Sequence, residues 1–168
     1  MMDQYFTMLN GLINKDWVWF MKKLYIYFSL TGNCDLVAEK LKEKDFEIRK
    51  LEMKKRLPKS FFFSVLGGGF LAGLGVKSKL KDYDHNIEGY DEIVIGSPIW
   101  NDRFSSPLNR LLKDVDFLNK KIKFIFTAGS GEGKHAMEKV KKLFPETECI
   151  FLKEPKKYEE ELKKIELL

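Results

Sequence analysis

Leu24-Tyr25-Ile26-Tyr27-Phe28, followed directly by Ser29-Leu30-Thr31-Gly32-Asn33-Cys34, is the stretch that decides the fold. A continuous apolar run of aromatic and β-branched residues reads as a strand covered on both faces, as in buried parallel sheets. It ends in a short polar loop, after which Leu36, Val37 and Leu41 mark one face of a helix. The unit then recurs. Ile93-Val94-Ile95, Phe124-Ile125-Phe126 and Cys149-Ile150-Phe151-Leu152 are further continuous runs, whereas Phe46-Glu47-Ile48-Arg49-Lys50-Leu51 alternates like a strand with one exposed face.

Helical stripes lie between and after them: Leu108, Leu111, Leu112 and Val115; Met137, Val140 and Phe144; Tyr158, Leu162 and Ile165. Ser106-Pro107 predicts a helix start, with Ser106 as cap and Pro107 at the first helical position. Strands alternating with helices imply an α/β domain of three layers, a parallel sheet wound on both sides by right-handed crossovers.

The chain's 168 residues suit one domain, and 44% hydrophobic with 33% charged residues is an ordinary globular balance. The net charge of +5 comes largely from lysines in mixed runs such as Lys40-Leu41-Lys42-Glu43-Lys44. These read as solvated helix faces, not as a nucleic-acid groove. Cys34 and Cys149 are far apart, which argues against a disulfide framework or zinc site and fits a reducing cytoplasm. Residues 1–20 form an extension with no assigned role, since Met21-Lys22-Lys23 resembles a translation start and 21–168 carries the domain. Its apolar patch is too short to span a bilayer and lacks the layout of a signal peptide.

Leu57 to Leu80 breaks the rhythm with Phe61-Phe62-Phe63 and five glycines from Gly67 to Gly75. Each glycine costs a helix about 1 kcal/mol relative to alanine. The segment is either an irregular helix covering the sheet, the favoured reading, or an apolar flap near a ligand.

In an open parallel sheet, ligands bind beyond the carboxyl ends of the strands. Three loops fall there. In the first, Ser29 and Thr31 offer hydroxyls, Gly32 allows close backbone approach, and the following helix offers free N–H groups to an anion. The same segment serves equally as a helix cap with Asn33. It lacks the lysine of a nucleotide-hydrolysing P-loop. The second, Gly96-Ser97-Pro98-Ile99-Trp100-Asn101-Asp102-Arg103, carries a large aromatic expected to be exposed and available to stack on a heterocycle. The third, Thr127-Ala128-Gly129-Ser130-Gly131-Glu132-Gly133, lets backbone groups reach a ligand edge, and is no dinucleotide fingerprint. No triad or carboxylate pair is evident, and His85 and His135 read as surface residues.

Together these loops resemble those of the flavodoxin family. Ser29-Leu30-Thr31-Gly32-Asn33-Cys34 looks like its T/S-x-T-G-N-T phosphate loop, and Asp91 to Trp100 like its third strand and ring-stacking loop. The resemblance, over roughly 22–168, implies strand order 2-1-3-4-5 and one non-covalent FMN at the switch point. It implies that Ser29, Leu30, Thr31, Gly32, Asn33 and Cys34 hold the phosphate. Ser97, Pro98, Ile99, Trp100 and Asn101 would flank the ring, with Trp100 stacking, and Thr127, Ala128, Gly129 and Gly131 would meet its pyrimidine edge. Cys34 departs from the family's final Thr. It reads as a simple replacement, because thiolate activation needs a positive site. Arg103 is expected to lie near the ring and stabilise its reduced, anionic form.

The resemblance implies an electron carrier serving a redox partner protein or a small-molecule donor or acceptor. The alternatives are an FMN-dependent NAD(P)H:quinone-type oxidoreductase and a flavin-free binding module on the same fold. Oligomeric state is not legible.

Overall fold

The structure, a computed structural model, describes residues 21–55, 79–117, 120–166 and 168. The N-terminal extension and nearly all of the Gly-rich segment lie outside the described residues. Met53 and Leu80 form an antiparallel bridge, which joins the two ends of the chain flanking that segment.

The elements run β1 (Lys23–Phe28), α1 (Asn33–Lys42), β2 (Phe46–Leu51), β3 (Glu92–Trp100), β4 (Arg103–Phe104), α2 (Ser106–Asp114), β5 (Ile122–Ala128), α3 (Lys134–Leu143) and β6 (Glu148–Lys153). A 3-10 helix, Glu159–Ile165, follows. The sheet order is β2-β1-β3-β5-β6, all parallel, with β4 added antiparallel to β3. With β4 set aside as a hairpin return, this is the expected order 2-1-3-4-5.

Two apolar layers hold the sheet between helices. On one face Leu24, Ile26, Ile93, Ile95, Phe124 and Phe126 pack with Leu108 and Leu111 of α2 and Val140 of α3. On the other, Tyr25, Tyr27, Val94, Ile125 and Leu152 pack with Val37 and Leu41 of α1 and with Leu162 and Ile165. Residues of opposite parity along one strand enter opposite cores, so central strands must be apolar throughout. Gly96 is needed for this packing: a Cβ there would lie 2.6 Å from Cε2 of the Tyr25 ring.

Three expectations are corrected. The second loop is mostly strand, since β3 continues to Trp100 and turns back at Asn101-Asp102 into β4. Both turn residues have positive φ (47° and 59°), the type I′ pattern that short Asn and Asp side chains tolerate. The cap of α2 is Ser105, one residue earlier than expected, with its hydroxyl accepting from Leu108 N–H at 3.3 Å. The final stripe is a 3-10 helix. Leu162, Ile165 and Leu168 recur every third residue, and such positions eclipse one another in that geometry.

Candidate functional site

At the carboxyl ends of β1, β3, β5 and β6 lies a cavity of about 540 Å³, well within the range of small-ligand sites. Leu30, Thr31 and Asn33 line it from the first loop, Pro98, Ile99 and Trp100 from the end of β3, and Thr127, Ala128 and Gly129 from the third loop. A fourth wall, Glu154, Lys156 and Lys157 after β6, was missed by the sequence reasoning. Its only signal was a basic pair following a strand, a pattern common on solvated surfaces.

The first loop leaves the start of α1 open. Gly32 is the N-cap of α1 at φ 90°, and no side chain caps the helix. Asn33 is therefore not the cap, which removes that alternative reading. Its amide donates to Thr31 Oγ1 at 3.1 Å, leaving the Thr31 proton free to point outward, and its Oδ1 accepts the Lys156 backbone N–H at 3.0 Å. The Ser29 hydroxyl oxygen is buried beside Asp35. Asp35, in the first turn of α1, is paired with Lys50 at 2.7 Å and accepts from Tyr27 Oη at 2.9 Å.

Cys34 turns inward. Its side chain is 1% exposed and its sulfur sits 3.3 Å from Thr127 Oγ1, tying the first loop to the end of β5. Burial pushes its thiol up from 9.0 to about 12, opposed in part by the Thr127 hydrogen bond. The neutral thiol is the reading the sequence favoured. What Cys34 offers a ligand is its backbone N–H.

The β3 segment is strand rather than loop, and a chain of hydrogen bonds supports it. Leu108 N–H donates to Ser105, Ser105 lies 2.8 Å from Ser97 Oγ, and Ser97 donates to the Pro98 carbonyl at 3.0 Å. Ser97 thus fixes Pro98 and Ile99 from beneath and does not itself line the cavity. Trp100 is 2% exposed and meets Phe28 edge-on at 6.0 Å and 84°. The expectation of an exposed ring is corrected: as the last residue of a strand, it backs the cavity wall.

Asn101 and Gly131 shape turns outside the lining. Arg103 is exposed on β4 and is not among the lining residues; its charged neighbour is Lys139. His135 is exposed but paired with Asp102. Its Nδ1 lies 2.5 Å from Asp102 Oδ2, and its backbone N–H donates to both carboxylate oxygens at 3.2 Å. Asp102 so caps α3 from the β3–β4 turn. Burial alone would raise its carboxyl, but the hydrogen bonds from His135 outweigh this and hold it below its usual value.

Both cysteines are free, and no group of metal-binding side chains is found among the described residues. Among them, too, no helix is long and apolar enough to cross a membrane.

No protein-family model matches the chain. No curated protein matches its sequence. Solved structures do match. A protein assigned as a flavoprotein from Bacteroides eggerthii superposes with TM-score 0.67 at 22% identity, covering 86% of this chain and 97% of its own. Another so assigned, from Bacteroides uniformis, gives 0.65 at 21% identity over 76% and 88%. A flavoprotein of Lactobacillus acidophilus, solved in complex with FMN, gives 0.57 at 19% identity over 83% and 97%. The chain has the flavodoxin-like, doubly wound α/β fold that these proteins share.

Proposed function

We propose that this chain binds FMN at the four-loop cavity and works as an electron-transfer flavoprotein. The observation that carries the reading is the uncapped, αL-started α1 opening beside a cavity of about 540 Å³ at the sheet's carboxyl edge. The donor set suits a phosphate monoester. Free N–H groups of the first turn, the outward Thr31 hydroxyl and the Lys156 ammonium can all donate to it. Pro98, Ile99 and the indole behind them supply an apolar flank, while Gly129 brings bare backbone to the opposite side, in keeping with a flat polar-edged heterocycle. The FMN complex of the Lactobacillus acidophilus neighbour supports the same ligand.

When bound, the flavin supplies the redox chemistry, and the protein sets its position and surroundings. Electrons would pass to or from a partner protein or a small-molecule acceptor. A titration of FMN into purified apoprotein tests the reading: flavin fluorescence is expected to be quenched, saturating at one FMN per chain. Absence of binding under reducing conditions would overturn it in favour of a binding module on the same fold. Single-turnover electron exchange with protein acceptors, without sustained NAD(P)H consumption, separates the carrier from the oxidoreductase.

A further inference from the structure

The wall that follows β6 holds an ammonium against the phosphate loop. Gly32 leaves the space in which this side chain lies: a Cβ there would stand 2.6 Å from Lys156 Cε and closer still to its Nζ. The backbone that carries this side chain is braced from both sides. Lys156 N–H is held by Asn33, and Glu154 N–H donates to the Ala128 carbonyl at 3.2 Å. The turn between them closes through Lys157 N–H on the Glu154 carbonyl at 2.7 Å.

Neighbouring charges are otherwise satisfied. Glu154 holds Lys157 through both carboxylate oxygens at 3.0 Å, and Asp35 is taken by Lys50 and Tyr27. Among the described residues, no carboxylate lies within ion-pair distance of the Lys156 ammonium. The exposed Lys156 ammonium therefore lies, without a carboxylate partner, beside the positive end of α1, two like-signed groups that repel until an anion joins them.

We propose that Lys156 is the counter-ion of the ligand's phosphate group. This deepens the FMN reading and, for the identity of the ligand, rests on it. The lysine is supplied from a different strand than the loop it serves. The phosphate would gain a charge-assisted hydrogen bond, and the apoprotein would carry an anion site of its own.

The test compares FMN, riboflavin and inorganic phosphate on the wild type, Lys156→Gln and Lys156→Arg. Lys113→Gln, on the last turn of α2 at the other end of the sheet, controls for net charge. Lys156→Gln is expected to weaken FMN by on the order of tenfold or more, leave riboflavin unchanged, and flatten the salt dependence. Lys156→Arg is expected to recover much of the loss.

FMN binding that is equal in wild type and Lys156→Gln overturns the proposal while leaving the FMN reading intact. Should the wild type bind neither flavin, that reading fails and the phosphate arm decides this one. Broadening of the phosphorus NMR line by wild type but not by Lys156→Gln then supports the anion site, and no broadening by either overturns it.

Discussion

Burial of Cys34 has a consequence at alkaline pH. The folded chain keeps the thiol protonated to about 12, whereas the unfolded chain releases the proton near 9.0. A folded-state pKa raised in this way contributes its full stability below pH 9 and loses it as pH rises toward 12. Tyr25 and Tyr27, on the same face of the sheet, are raised by burial too and act in the same direction. Wild type is therefore expected to lose stability above pH 9 more steeply than Cys34→Ala, by about 1.4 kcal/mol per pH unit. Urea midpoints between pH 8 and 10.5 measure it, and parallel slopes would show that the thiol ionises normally in the fold. At this scale the sequence was legible where chemistry is local. Thr31, Gly32 and Asn33 sit together in the chain and together in the site. Lys156 was not, because 123 residues separate it from the Asn33 side chain that holds it. Trp100 misled for a related reason: a loop position implies exposure, but the residue belongs to a strand and packs on Phe28.

The elements extend that lesson. Continuous apolar runs located four of the parallel strands, because strands covered by two cores admit few polar residues, and alternation located the edge strand β2. Run length did not locate their ends. β3 passes through Gly96, Ser97 and Pro98, residues that break the apolar pattern yet keep parallel register with Ile125, Phe126 and Thr127 of β5. Asn101-Asp102 between Trp100 and Arg103 was the available hairpin signal, read instead as loop. The return through β4 places Ser105 rather than Ser106 at the start of α2. That hydroxyl joins a helix cap to the support under Pro98, so it serves two elements at once. Ser105→Ala is expected to cost about 1–2 kcal/mol, a lost cap plus a buried partner removed from Ser97. Amide exchange should quicken first at the start of α2. Loss spread evenly over the domain would instead mean that the cap is not what the serine contributes.

Across the whole molecule the two ends of the sheet do different work. The carboxyl ends are loops, hydroxyls and a cavity; the amino ends are closed by charge. Lys123, near the start of β5, bridges Glu92 at 3.1 Å and Glu148 at 3.5 Å, joining the first residues of β3 and β6. Glu92 is 5% exposed, so removing its cation leaves a poorly solvated carboxylate. Lys123→Met is expected to lower stability by about 1–3 kcal/mol, or about 2–4 °C of melting temperature per kcal/mol for a domain of this size. Ligand affinity should stay unchanged, because Lys123 lies at the opposite end of the sheet from the cavity and distant sites add independently. Saturation then separates the two effects. A ligand at a hundred times its dissociation constant adds about 2.7 kcal/mol to any fold that binds it, so FMN should raise the melting points of wild type and Lys123→Met by matching amounts. A smaller rise in the variant would show that the amino-end ion pair reaches across the sheet to the cavity, and that the fold's division of labour is less complete than its geometry implies.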